Sequence, residues 1–186
     1  MKQAFSTRRF RLPLLAGGLV LALALAPGCK REPKTVKVAG AEGEALALAS
    51  TVRTSQISQE PQLLDGFYNI EANAWRWTAK QFRVVLRPPI GSAQSGATLV
   101  MALTVPQVAI DHSKSLTLSA SIEGTPLQPE TYTKAGQYEY KRDAPASALS
   151  KPAVRIQFSL DNAMPPTGAE RRELGIIVSS VGLQPK

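Results

Sequence analysis

The chain has 186 residues, with 22 lysines and arginines against 14 aspartates and glutamates, one histidine and one cysteine, for a formal charge of +8 at pH 7. A single cysteine excludes an intrachain disulfide framework, and a single histidine leaves no histidine-rich metal set. The basic excess is unevenly placed: Lys2, Arg8, Arg9 and Arg11 fall in residues 1–28, which hold no acid, so residues 29–186 carry 18 basic and 14 acidic side chains, a formal +4. Spread along the chain, that excess lacks the clustered basic face of a nucleic-acid binder, and nucleic acid is excluded as a partner.

Residues 1–28 have the three parts of an export signal. Four basic residues are followed by an apolar run from Leu12 to Ala26 and by the small-residue exit Ala26-Pro27-Gly28 before Cys29. The run is 15 residues long, short of the roughly 20 that a membrane-spanning helix needs. Pro13, Gly17 and Gly18 weaken it further as a helix. Leu25-Ala26-Pro27-Gly28-Cys29 resembles the lipobox of bacterial lipoproteins. The resemblance implies a diacylglycerol thioether on Cys29, cleavage between Gly28 and Cys29, and acylation of the new amine. Its partner would be membrane lipid, each acyl chain contributing about 0.8 kcal/mol per buried methylene. An ordinary cleaved signal with a neighbouring free thiol is the alternative. Lys30 stands where an aspartate would resemble an inner-membrane retention signal. The expected address is therefore the bacterial cell envelope, lipid-anchored and periplasm-facing, with the outer membrane preferred.

Residues 29–49 read as a lipidated flexible tether: charged, then rich in Ala and Gly, with no sustained period that would bury a face. From residue 50 to 186 the period becomes two. Phe82, Val84 and Leu86 alternate with Arg83, Val85 and Arg87; Leu99, Met101, Leu103 and Val105 repeat the pattern. Leu116, Leu118, Ala120 and Ile122 continue it opposite serines and a threonine, as do Val154, Ile156, Phe158 and Leu160 opposite Arg155, Gln157 and Ser159, and Leu174 to Leu183 closes the series. Such alternation predicts strands with one wet face. Proline and glycine signals at 87–91, 123–126, 135–136, 143–145 and 164–168 separate them. No helix is predicted after residue 50. Eight to ten short strands with one apolar face each predict an all-β fold: an antiparallel β-sandwich, jelly-roll-like.

The densest unusual segment is Gly66-Phe67-Tyr68 followed by Glu71 and then Trp75-Arg76-Trp77-Thr78. Spacing by two puts Trp75 and Trp77 on one strand face and Arg76 and Thr78 on the other. An exposed pair of indoles would offer flat platforms to sugar rings, with Tyr68 and Arg76 supplying polar contacts; packing in the core or at its rim is the competing reading. Together with the strand Phe82 to Leu86, this segment resembles the opening of the small β-sandwich domains of bacterial cell-surface and glycosyltransferase-associated proteins. Leu116 to Ile122 followed by Glu123-Gly124-Thr125-Pro126-Leu127 resembles their central hairpin. Arg171-Arg172-Glu173-Leu174-Gly175-Ile176-Ile177-Val178 with Val181 to Leu183 is similar to their closing strand. The resemblance departs at Phe67, where tryptophan is common. It implies a carbohydrate-binding-like accessory fold without chemistry of its own.

No catalytic residues are expected. His112 lies in the turn-like Asp111-His112-Ser113, without the nucleophile and oxyanion donors a hydrolase would need. No metal or cofactor is expected either. Of Arg171 and Arg172, one is expected to pair with a carboxylate such as Glu71 and pin the last strand to the first hairpin. The sequence therefore predicts an envelope-anchored lipoprotein whose sandwich is a non-catalytic binding or structural module for glycan. The alternative is a protein-binding accessory subunit of an export or polysaccharide-assembly complex, with an envelope protein as partner. The candidate ligand-binding residues are Tyr68, Trp75, Arg76 and Trp77, and the candidate lipid attachment is Cys29.

Overall fold

Alternation of apolar and polar side chains organises the protein, a computed structural model of which describes residues 48–186. The expected signal at 1–28, Cys29 and most of the tether lie outside the described residues. Nine strands follow: β1 (Thr51–Arg53), β2 (Leu63–Glu71), β3 (Trp75–Leu86), β4 (Ala97–Val105), β5 (Leu116–Ile122), β6 (Thr125–Tyr132), β7 (Gly136–Ala144), β8 (Val154–Leu160) and β9 (Ile177–Pro185). Every named pairing is antiparallel, in the order β6-β5-β8-β3-β9-β4-β7, with β1 on β9 and β2 on β3. Most neighbours are distant in sequence, the long-crossover wiring of a jelly-roll-like sandwich.

β3 joins the two layers. β2 pairs with it from Glu71↔Trp75 to Leu63↔Val84. Its other partners divide its length, β9 taking Arg76 and Trp77 and β8 taking Gln81 to Leu86. Between these stretches the register with β2 jumps, Phe67 facing Thr78 while Asp65 faces Arg83. The bend lets one strand serve the β8-β5-β6 layer and the β9-β4-β7 layer in turn. Two glycines make room for it. A Cβ on Gly66 would lie 2.1 Å from the Gln81 carbonyl oxygen, and one on Gly175 would lie 2.8 Å from that of Ala79.

The core fills the space between the layers with the inward set of each strand: Phe82, Val84 and Leu86 from β3, Leu99 and Met101 from β4, Ile156 and Phe158 from β8. Phe82 stacks on Phe158 with centroids 4.9 Å apart and meets the Phe67 edge at 5.3 Å. β6 and β7 bring the two layers together on the far side through side chains. Arg142 Nε and Tyr140 Oη donate to the Gln128 carbonyl, at 2.8 and 2.9 Å, and Arg142 Nη2 reaches the Glu130 carboxylate at 2.7 Å. Pro126 and Pro129 in β6 have no N–H to donate, which suits a strand at this seam.

The prediction of no helix is corrected. α1 (Ser92–Ser95) and α2 (Gln107–Ser113) join two 3₁₀ turns, Ile57–Gln62 and Ala146–Leu149. α2 takes in Asp111, His112 and Ser113, expected as a turn. Pro106, whose fixed φ suits entry to a helix, precedes it, and Lys114 at φ 67° stops it. Short helices of this kind carry too few residues for a period to be read. The closing strand begins at Ile177 rather than Leu174, because Leu174 is held in a single bridge to Met164.

Gly66 sits at φ +73° with backbone at sub-van der Waals distance from any side chain placed there. Gly66→Ala is expected to lower the unfolding free energy by about 3 kcal/mol, measured by urea denaturation. An unchanged midpoint would contradict the account of the β3 bend.

Candidate functional site

Parity along β3 decides where the candidate side chains go. Phe82, Val84 and Leu86 face the core, so Thr78 and Arg76 face the same way and Trp77 and Trp75 face out, both half-buried. The expected sharing of faces is what the strand adopts, and the indoles sit half-buried on the outer face.

Arg76 takes an interior role. It is 4% exposed; its Nε donates to the Thr54 carbonyl at 2.8 Å, its Nη1 to the Tyr68 carbonyl at 2.9 Å, and its Nη2 lies 3.2 Å from a Glu60 carboxylate oxygen. Its donors are spent on holding the segment after β1 and the start of the β2–β3 hairpin. It therefore lies apart from any surface on which Trp75 could present a ligand. Truncating it would strand buried carbonyls.

Tyr68 is engaged as well. Its hydroxyl donates to the Glu173 carbonyl at 2.8 Å, and the Arg172 guanidinium lies over its ring at 5.1 Å. Burial is the main cause that pushes its phenol pKa up. Arg172 is the arginine that pairs with Glu71, at 2.8 Å, and it also forks onto Glu170 through Nε at 2.9 Å and Nη2 at 2.8 Å. The expected pin exists, although it acts from the irregular segment ahead of β9 rather than from the strand. Arg171 is exposed.

Trp75 belongs to a different feature. It lines a groove of about 430 Å³ with Ala74, Ala102, Leu103, Thr104, Gln137, Tyr138, Glu139, Ile177 and Ser179. Apart from Ala74, in the turn before β3, these come from β3, β9, β4 and β7, successive neighbours in the sheet. A bulge in β9 shapes it: Ala102 pairs with Ser180 while Leu103 pairs with Val178, leaving Ser179 as the extra residue. The bulge changes which residues of β9 face in, from Val178 on one side of it to Val181 and Leu183 on the other, and leaves Ile177 and Ser179 outside. Such re-aiming is what bulges do beside sites. The Trp75 Nε1–H is buried and has no acceptor among the described residues. Trp77 is not among the lining residues.

The groove is polar at Thr104, Gln137, Glu139 and Ser179 and apolar at Trp75, Ala102, Leu103 and Ile177. Glu139 is the one ionisable carboxylate in its lining, and no lysine or arginine lines it. Sequence reasoning found Trp75 and missed Thr104, Gln137, Glu139 and Ser179. They lie on outward positions of their strands, where the apolar period carries no signal, and nothing in their spacing joins them. His112 is exposed at the end of α2, outside the groove lining.

Glu170 gives the Arg172 cluster a pH signature. Hydrogen bonds from Arg172 hold its carboxyl pKa down at about 2, from an ordinary 4.5. A carboxyl depressed in the folded state stabilises above its unfolded pKa, and that contribution disappears as pH falls through the folded value. Wild type is therefore expected to lose more stability than Glu170→Gln between pH 4.5 and about 2, followed by thermal unfolding monitored by circular dichroism.

No protein-family model and no curated protein matches the sequence. Among solved structures the chain is similar to one described as "CBM4 structure and function", a carbohydrate-binding module, at 12% identity and a TM-score of 0.36, over 67% of this chain and 77% of that one. It is also similar to the CBM51-2 and INT domains of Clostridium perfringens ZmpB, at 9% identity and a TM-score of 0.35, over 74% of this chain and 28% of that one. The same domains with CBM51-2 in complex with GlcNAc are matched at 10% identity and a TM-score of 0.32, over 73% and 28% of the two chains.

Proposed function

We propose that this chain is a lipid-anchored envelope protein whose β-sandwich binds glycan non-catalytically in the outer-face groove at Trp75. The observation that carries the reading is the groove itself: an indole beside hydroxyl, amide and carboxylate side chains on four adjacent strands. A sugar ring has one apolar face and an equatorial belt of hydroxyls. Trp75 would receive the face, and Thr104, Gln137, Glu139 and Ser179 the hydroxyls.

The lining chemistry narrows the ligand. With Glu139 and no cation, the groove suits neutral sugars and repels acidic ones. Hydrolysis of a glycosidic bond ordinarily takes two carboxyl groups flanking it, and the lining supplies one. Binding is the activity these residues support. The anchor follows from the signal-like start and the lipobox resemblance at Cys29, with the cell envelope as the address.

Titration of neutral oligosaccharides, followed by tryptophan fluorescence and calorimetry, tests the groove. Trp75→Ala is expected to weaken binding by at least about tenfold, the scale of an aromatic anchor. Trp77→Ala, outside the lining, is expected to leave affinity within about twofold of wild type. No saturable response to any neutral glycan, together with a stoichiometric envelope protein that co-purifies through high salt, would favour the protein-binding alternative instead. Palmitate labelling tests the anchor: incorporation is expected in wild type and absent in Cys29→Ser, and unchanged membrane association of that variant would refute acylation.

A further inference from the structure

The described chain has two unlike ends. At one lie the groove, the start of β3 and β9, and the end of β4. At the other lie Ala49, Leu86, Ala97 and Pro185. Their placement follows from the ladder: Ala97 faces both Ala144 and Pro185, Leu86 faces Val154, and the Arg87 N–H donates to the Ala49 carbonyl at 3.1 Å. The described residues therefore begin at the end away from the groove. Along β4, the seven-residue step from Ala97 to Thr104 separates the two ends by roughly 23 Å.

The end where the described residues begin carries a projecting apolar tip. Ile90 is fully exposed, at 102% of its reference area, the highest among the exposed large hydrophobic side chains. Pro88 and Pro89 fix the approach to it, and Gly91 at φ +83° turns the chain away into α1. A hollow of about 410 Å³ opens at its base, lined by Arg87, Pro88, Pro89, Lys151 and Pro152 among others. Arg87 is exposed and makes no ion pair among the described residues; Lys151 pairs with Glu123. An aliphatic tip above a net-positive hollow is the chemistry of an anionic membrane interface: the side chain enters the acyl boundary and Arg87, which makes no ion pair among the described residues, meets headgroup phosphates.

We infer that the Pro88–Gly91 loop is a membrane-contacting tip that seats this end of the domain on an anionic bilayer and turns the Trp75 groove away from it. The inference rests on the acyl anchor proposed above but is separate from it. The 18 residues between Cys29 and Leu48 reach at most roughly 68 Å when extended, so acylation alone does not press any surface to the lipid.

The test uses the full-length acylated protein reconstituted in phosphatidylethanolamine–phosphatidylglycerol vesicles, with palmitate incorporation checked on the same sample. With Cys29 blocked by lipid, Ile90→Cys supplies a single thiol for a nitroxide label. Val108→Cys, on α2 beyond the far end of β4 and 54% exposed, is the control. The label at 90 is expected to be protected from a water-soluble relaxation agent and accessible to oxygen, and the label at 108 to report free water. Arg87→Glu in the Ile90→Cys background is expected to return the label to water. Equal aqueous exposure at both positions in acylated protein would overturn the tip while leaving the anchor standing. Should Cys29 carry no lipid, the anchor reading falls. The tip is then judged by sedimentation of the unacylated chain with the same vesicles at low salt. Binding that drops about tenfold in Ile90→Asp, the scale of one buried aliphatic side chain, supports it, and no binding by wild type overturns it.

Discussion

β3 has to satisfy its backbone hydrogen bonds in two layers at once, and the rest of the fold follows from how it does so. A strand buried within a sheet cannot leave N–H and C=O groups unpaired without a cost comparable to a lost hydrogen bond each. β2 covers one edge, while β9 and β8 share the other between its two ends. The changeover demands a bend near Thr78 to Gln81, and the bend brings backbones closer than a Cβ allows at Gly66 and Gly175. Around that crossing the aromatic stack of Phe67, Phe82 and Phe158 fills the interior. The core is thus continuous from one layer to the other, and at the opposite seam the side chains of Tyr140 and Arg142 and the Tyr132–Tyr138 ring pair bring β7 against β6.

The same strand decides the division of labour in the Trp-Arg-Trp segment. Because the inward parity set by Phe82 persists to the beginning of β3, the charged residue of the triplet is the one that goes inside. Arg76 is tolerated there because carbonyls of Thr54 and Tyr68 and the carboxylate of Glu60 receive its guanidinium. A buried cation without such partners would cost several kcal/mol. Its gain is architectural: it fastens the short β1 and the turn after it to the hairpin. The indoles are left on the outer face, and only Trp75, beside the bulge in β9, faces neighbours that make a groove.

Electrostatic ties add to a few backbone hydrogen bonds, among them Gly175 N–H to the Thr78 carbonyl at 2.7 Å and Thr78 N–H to the Ile176 carbonyl at 2.8 Å, in holding the irregular approach to β9. Arg172 meets Glu170, Glu71 and the Tyr68 ring, and Tyr68 and Lys80 bind Glu173 through the hydroxyl and the backbone N–H. Each exposed pair contributes modestly, about 0–1 kcal/mol. Converging on one guanidinium, they tie the segment ahead of β9 to the β2–β3 hairpin.

Alternation by itself determined the all-β class, the strands around Phe82, Leu99, Leu116 and Val154, the shared face of Trp75 and Trp77, and the pairing of one arginine with Glu71, because each of these depends on neighbours two residues away or on plain charge complementarity. β6 and β7 were fainter, since Pro126, Pro129, Glu139 and Arg142 dilute the apolar beat on strands that need only one buried face. The inward turn of Arg76, the bulge that shifts the parity of β9, and the meeting of Trp75 with Thr104, Gln137 and Glu139 were decided only by the tertiary structure. Those outcomes depend on which strands become neighbours, and pairing between strands far apart in sequence leaves no trace in the local period of either one.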